Sequence, residues 1–326
     1  MWIALIAVHT VFMKRALVVG INDYRVAPLR GCIKDAQEMH ARLSRHGNGD
    51  PNYDTYLLTS ERQEVTRAVL LDKLKALLME PAESAVFYFS GHGSKNLLGG
   101  YLVTQEATRA DQGLAFHDLQ TLVLRSPIPE ITLILDCCYS GGMGNEDRDD
   151  AVVEMRQGVT ILAASQPEQL ARETAEGGIF TTLLLSALDG EAADLLGNIN
   201  LAGLYHNIAG LLTAWDQRPI FKQHVSGFHP IRQVEPEFTY SELKQLNRMF
   251  PILDHELQLD KRYEPTVEPK DPQKEADFSL LQRMRLAGLV TPMAPHIHLY
   301  YAALHGGKMV LTPKGRFYWK MCMRRG

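Results

Sequence analysis

Two side chains stand out as a reactive pair. His92 sits between Gly91 and Gly93, and Cys138 follows Cys137 and precedes Tyr139-Ser140-Gly141-Gly142. A thiol becomes a nucleophile when a neighbouring base or positive field favours its thiolate. Imidazole is the side chain best suited to take that proton near neutral pH. The flanking glycines expose backbone N–H groups and let a substrate approach closely, as a developing oxyanion requires. Together these residue types point to covalent acyl transfer. The competing reading takes Cys137 and Cys138 as small buried residues and His92 as an ordinary loop histidine.

The elements that must position this pair are legible as alternating patterns. Apolar runs at Ala16–Ile21, Ala85–Ser90, Ile131–Asp136 and Gln157–Ala164 read as buried strands, with a shorter one at Thr55–Leu58. Between them the spacing predicts helices over Cys32–His46, Thr66–Met79, His117–Leu124, Ile179–Leu188 and Asn200–Trp215, with Thr66 and Asn200 as N-caps. Continuous apolar strands separated by helices predict an α/β fold, a mostly parallel sheet with helices on both faces. In such sheets the chemistry gathers beyond the C-terminal strand ends. His92 and Cys138 both fall there.

Length and composition set the frame. The chain has 326 residues, enough for one larger domain and a small one. Hydrophobic residues at 45% and charged residues at 22% exclude wholesale disorder and collagen-like structure. Four cysteines, two of them adjacent, are too few for a disulfide scaffold and fit a reducing, cytoplasmic setting. The apolar run Trp2–Val8 is far shorter than the ~20 residues that span a bilayer, so residues 1–13 read as an N-terminal extension and no membrane partner is expected.

Four motifs, in order, carry a resemblance to a known family: LVVGINDY (Leu17–Tyr24), LRGCIKDA (Leu29–Ala36), YFSGHGS (Tyr88–Ser94) and LDCCYSGG (Leu135–Gly142). They closely resemble the caspase-like cysteine peptidases, in the metacaspase and bacterial orthocaspase branch. ASQPEQLARE (Ala164–Glu173) and GGIFTTLLLSAL (Gly177–Leu188) are similar to that family's later strand and helix. The resemblance spans 14–232. It implies a caspase-like sheet, with His92 as general base and acid, Cys138 as nucleophile, and the backbone N–H groups of Gly93 and Cys138 as oxyanion hole. It also implies a pocket for Arg or Lys before the scissile bond, with acids at Asp35 and Asp136 assisted by Cys32 and Ser90. Paired carboxylates attract a guanidinium and oppose an aspartate. Each acid by itself also reads as a solvated helix or turn residue. Tyr139 departs from the histidine common after the nucleophile in metacaspases and reads as a branch marker.

No cofactor is required by the sequence. The acidic loop Gly144–Asp150 offers oxygens for calcium activation through Asp147, Asp149 and Asp150, but its spacing is no calcium loop, and a solvated loop is the favoured reading. Arg148 and Arg156 are candidate self-cleavage sites, because both suit the expected specificity. His296 and His298 lack the neighbours a metal site needs.

The end of the chain differs in charge. From Ala276 onward eight Lys or Arg oppose Asp277, a net of +7 that leaves −11 on residues 1–275. Residues 233–275, with five prolines, read as an acidic connecting segment, and 276–326 as a small winged-helix-like domain: a helix over Phe278–Leu289, strands at Tyr300–Ala303 and Met309–Leu311 flanking a His305-Gly306-Gly307 hairpin, and a final helix opened by Thr312-Pro313. Such a basic module favours a regulatory protein partner or the acidic peptidase domain over nucleic acid. The expected function is a cysteine endopeptidase acting after Arg or Lys in a bacterial regulatory, cell-death or defence pathway. The alternatives are a caspase-fold peptidase with another preference, or a catalytically quiet scaffold that recruits partners.

Overall fold

The computed structural model describes residues 13–96, 99–108, 111–137, 155–164, 173–174, 177–212, 219–224, 227, 229–294 and 298–324. The chain divides into two compact units, Met1–Glu235 and Pro236–Gly326.

The first unit is built on a six-stranded sheet. Its sequence runs β1 (Lys14–Gly20), α1 (Cys32–Ser44), β2 (Asp54–Thr59), α2 (Arg67–Leu78) and β3 (Ser84–Ser90). A small antiparallel sheet follows, β4 (Gly93–Asn96), β5 (Gly99–Val103) and β6 (Gly113–Ala115). Then come α3 (Phe116–Arg125), β7 (Glu130–Asp136), β8 (Val159–Ala163), the short pair β9 (Glu173–Thr174) and β10 (Gly177–Gly178), and α4 (Ile179–Ser186). The unit closes with β11 (Asn198–Ile199), α5 (Leu201–Leu212), β12 (Ile220–His224) and β13 (Arg232–Gln233). Strand order in the main sheet is β12-β8-β7-β3-β1-β2. Every pairing is parallel except β12 against β8.

The sequence dictates this layering. Every residue of β3 is buried, as expected of a central strand covered on both faces. Its alternation sends Phe87 and Phe89 into one core with Leu70 and Leu74 of α2 and Leu119 and Val123 of α3. Val86 and Tyr88 enter the opposite core with Ala36 and Met39 of α1 and Phe180 and Leu184 of α4. Thr66 caps α2 as its sequence predicts, its side chain accepting from the Val69 N–H. The antiparallel edge strand β12 and the β4–β6 sheet have no counterpart in the apolar-run reading.

The second unit comprises α6 (Tyr240–Met249), β14 (Leu257–Gln258), α7 (Pro272–Leu286), β15 (Val290–Pro292), α8 (Leu299–Leu304), β16 (Lys308–Leu311) and α9 (Pro313–Arg324). Its strands form one antiparallel sheet in the order β14-β16-β15. This revises two expectations. The boundary lies at Glu235/Pro236, and most of residues 233–275 belongs to the second unit. A full capping box between Thr239 and Glu242 starts α6, which buries Leu243, Leu246 and Met249 on one face. The expected strand at Tyr300–Ala303 is helical. His298 caps it, its ring nitrogen accepting from the Tyr300 N–H at 3.2 Å, and Leu299, Ala302 and Ala303 are buried at helical spacing. His305-Gly306-Gly307 therefore joins a helix to a strand, and β16 pairs with β15 across α8 instead of forming the hairpin expected of a winged helix. Among the described residues no helix is long and apolar enough to cross a membrane.

Candidate active site

His92 lies just past the C-terminal end of β3, and its surroundings fix both its main chain and its ring. The Tyr24 hydroxyl accepts from the His92 backbone N–H at 2.9 Å and donates to the Val103 carbonyl at 3.2 Å. The Val103 N–H in turn donates to the His92 carbonyl at 2.9 Å. The Tyr24 ring tilts against the imidazole, centroids 4.6 Å apart. Gly91 is required here by close approach, because a Cβ on it would stand 2.4 Å from the Tyr24 hydroxyl oxygen. Burial, the largest influence, holds the Tyr24 phenol well above its ordinary pKa, so it remains a neutral O–H.

The imidazole Nε2 lies 2.6 Å from the Ala27 carbonyl oxygen. A carbonyl can only accept, so Nε2 carries the proton and Nδ1 of the neutral ring holds the lone pair. Nδ1 is thus the nitrogen able to take a proton from a thiol. Ala27 reaches this position at φ +56°, an uncommon conformation for a residue with a Cβ. Asn22 cinches the loop that carries it: its carbonyl accepts from the Leu29 N–H, its Nδ2 donates to the Arg30 carbonyl, and its Oδ1 accepts from the Ile33 N–H.

The nucleophile predicted from sequence, Cys138, lies outside the described residues, as do Arg148 and the acidic residues Asp147, Asp149 and Asp150. Cys137 ends the described part of the β7 segment and is buried. Cys32, Cys137 and Cys322 are thiols and not halves of disulfides. Gly93 opens β4 directly after His92.

The four residues predicted to read a basic side chain gather at the same sheet end. Ser90 and Asp136 are register partners at the ends of β3 and β7, while Cys32 and Asp35 occupy the first turn of α1. All four are buried; Asp35 is 3% and Asp136 7% exposed, which sets them apart from solvated helix or turn residues. Asp35 Oδ2 accepts from the Gly178 N–H at 3.0 Å, and Asp136 Oδ2 accepts from the Thr181 hydroxyl at 2.6 Å. Of the two self-cleavage candidates, Arg156 is engaged: its guanidinium donates to the Ser126 and Ile128 carbonyls. Among the described residues no group of three or more His, Cys, Asp or Glu side chains could hold a metal ion.

This arrangement has known relatives. The family model of the caspase domain matches residues 13–225. The chain belongs to the caspase domain family. Curated relatives include metacaspase-4 of Arabidopsis thaliana, 26% identical over 191 residues, 54% of this chain and 44% of that protein. Metacaspase-6 of the same plant is 30% identical over 155 residues, 42% and 40% of the two chains. Metacaspase-1 of Debaryomyces hansenii is 30% identical over 149 residues, 39% and 33%. The chain thus spans less than half the length of these relatives. Among solved structures, that of protein GSU0716 from Geobacter sulfurreducens aligns with a TM-score of 0.50 at 18% identity, covering 70% of this chain and 99% of that one. That likeness concerns the fold alone.

In this caspase domain, sequence reasoning missed Tyr24, Ala27 and Thr181. Each acts across a long separation or through backbone geometry. Tyr24 lies inside one quoted motif, yet nothing local distinguishes it from a packing tyrosine.

Proposed function

We propose that this caspase domain is a cysteine endopeptidase that cleaves after Arg, and less readily after Lys, through Cys138 and His92. The observation that carries the reading is the pair of buried carboxylates, Asp35 and Asp136, brought together at the sheet end that also presents His92. A guanidinium offers the bidentate, always-charged partner such a pair favours, and an aspartate would meet like charge.

The chemistry follows from the imidazole's orientation. His92 Nδ1 takes the Cys138 thiol proton, and the thiolate attacks the scissile carbonyl carbon. The oxyanion is held by the Gly93 and Cys138 backbone N–H groups. Collapse expels the amine, which takes the proton from His92, and leaves a thioester. Water then attacks the thioester with His92 as base, releasing the acid and the thiol. The Ala27 carbonyl keeps the ring in the tautomer this sequence needs and stabilises the imidazolium that forms. The acidic run of sequence after Cys138, and the charge contrast between Ala276–Gly326 and the rest of the chain, support gating by self-cleavage or a protein partner.

Matched fluorogenic peptides with Arg, Lys or Asp before the scissile bond test the proposal, with and without calcium and with Cys138→Ala as control. Arg cleavage lost in the variant is expected. Asp cleavage would overturn the role of the two carboxylates. No cleavage, together with no labelling of Cys138 by an arginyl chloromethylketone, would favour the quiet scaffold.

A further inference from the structure

Both pocket carboxylates receive a hydrogen bond from one short stretch of chain. The Gly178 N–H donates to Asp35, and three residues later the Thr181 hydroxyl donates to Asp136. These are neutral donors, which orient a carboxylate without cancelling its charge. We propose that Thr181 and Gly178 are specificity-determining residues for basic substrates: Thr181 sets the Asp136 carboxylate, and Gly178 keeps the space between Asp136 and Asp35 clear. This rests on the basic-residue reading above and deepens it.

The proton inventory fixes the direction of the chain of bonds. Thr181 has one hydroxyl proton, and it goes to Asp136 Oδ2 at 2.6 Å. The 2.7 Å contact between Thr181 Oγ1 and the Tyr88 oxygen must therefore have the phenol as donor. Burial, and then the charges of Asp136 and Asp35, raise the Tyr88 pKa well above its ordinary value and keep that proton in place. Tyr88 lies in the middle of the sheet core and Thr181 is fully buried, so both have fixed positions. The relay Tyr88 to Thr181 to Asp136 thus ties a pocket carboxylate to a fully buried residue of the sheet core.

Gly178 contributes by what it lacks. A Cβ there would stand 2.4 Å from Asp136 Oδ2 and 3.4 Å from Asp35 Oδ2. The backbone of residue 178 therefore walls the space between the two carboxylates, and a methyl group would enter it.

The test uses the full chain and reads kcat and KM on an Arg peptide alongside the alkylation rate of Cys138 by iodoacetamide, which needs the dyad but no pocket. Thr181→Val keeps the branched shape and removes the hydroxyl. It is expected to raise KM about 10-fold or more, as loss of a hydrogen bond to a charged group does, with iodoacetamide reactivity unchanged. Thr181→Ser is expected to stay within about threefold of wild type, and Gly178→Ala to lose Arg binding. If Thr181→Val does not fold, Tyr88→Phe carries the same test with a smaller rise in KM. An unchanged KM in Thr181→Val, or an equal fall in iodoacetamide reactivity, overturns the proposal. Asp136→Asn separates the two levels. If it is inactive on Arg while Thr181→Val behaves as wild type, this proposal alone fails; if it cleaves Arg normally, the basic-residue reading fails too.

Discussion

Tyr24→Phe isolates one hydroxyl beside the predicted base. The substitution keeps the ring, and with it the tilted contact to the imidazole at 4.6 Å. It removes the bond accepted from the His92 N–H at 2.9 Å and the bond donated to the Val103 carbonyl at 3.2 Å. A typical net hydrogen bond contributes about 1 kcal/mol, and an orphaned buried group costs about 1–3 kcal/mol. Both partners are only partly buried, so the low end applies: about 2 kcal/mol in total, or about 4–8 °C in melting midpoint for a domain of this size. The larger consequence is expected in acylation. Without the hydroxyl, His92 keeps its Val103 backbone bond and the Ala27 contact but loses the tie on its own N–H. A misplacement of about 1 Å at a reacting group costs about 100-fold, so a smaller shift is expected to lower kcat about 10-fold. KM should change little, because Tyr24 bonds the base and not the two pocket carboxylates. Thermal melts, kcat and KM on an Arg peptide, and iodoacetamide alkylation of Cys138 read the three effects. A melting midpoint that falls with an unchanged kcat and alkylation rate would reduce Tyr24 to packing and refute the argument.

Two further outcomes follow from burial and from a side chain already engaged. Burial raises Tyr53 to about 12 and holds Tyr24 and Tyr88 well above ordinary tyrosine. Each folded-state pKa is raised, so the stability these phenols contribute is intact below pH 10 and is lost as pH rises above it, by up to about 1.4 kcal/mol per pH unit per group; denaturation at pH 8, 10 and 11 checks this, and an unfolding free energy unchanged between pH 8 and 11 would contradict it. For self-cleavage, Arg148→Gln is expected to abolish the fragments and Arg156→Gln to leave them, because the Arg156 guanidinium is held by two carbonyls; fragment masses that end at Arg156 would reverse the assignment.

What was legible in the sequence depended on whether the signal was local. β1, β3, β7 and β8 read directly, because strands buried on both faces become continuous apolar runs. β12, Ile-Phe-Lys-Gln-His, is an edge strand whose identity comes from pairing with β8, and β4, Gly-Ser-Lys-Asn, has no apolar pattern at all. In the second unit five prolines and an acid excess masked α6, although Thr239 and Glu242 spelled its capping box. Two tyrosines with β propensity disguised α8. His92 stood out by residue type and strand-end placement, whereas Cys32, Asp35, Ser90 and Asp136 were named only through the resemblance to caspase-like peptidases. Tyr24 and Thr181 were missed, because their partners lie 68 and 45 residues away. Ala27 acts through a backbone dihedral that no alanine announces.

The register of β3 against β7 is what brings these separate motifs to one end of the sheet. Ser90 and Asp136 are partners in a parallel pair, so their Cα atoms lie about 4.8 Å apart. His92 follows Ser90 by two residues, and covalent geometry keeps its Cα within about 7–8 Å of that row. One local turn after β3 therefore suffices to keep His92 at the sheet end that carries Ser90 and Asp136. The same geometry makes the arrangement intolerant of slippage. Asp136 shares the face of Ile134, toward α1 and α4, where Asp35, Gly178 and Thr181 wait. A shift of one residue would turn Asp136 toward the core of α2 and α3 and put Leu135 opposite Asp35. A leucine there offers no charge to a guanidinium, and a carboxylate among Phe87, Phe89 and Leu119 would lack partners. The apolar alternation of β7 that fills both cores thus also fixes which face carries Asp136.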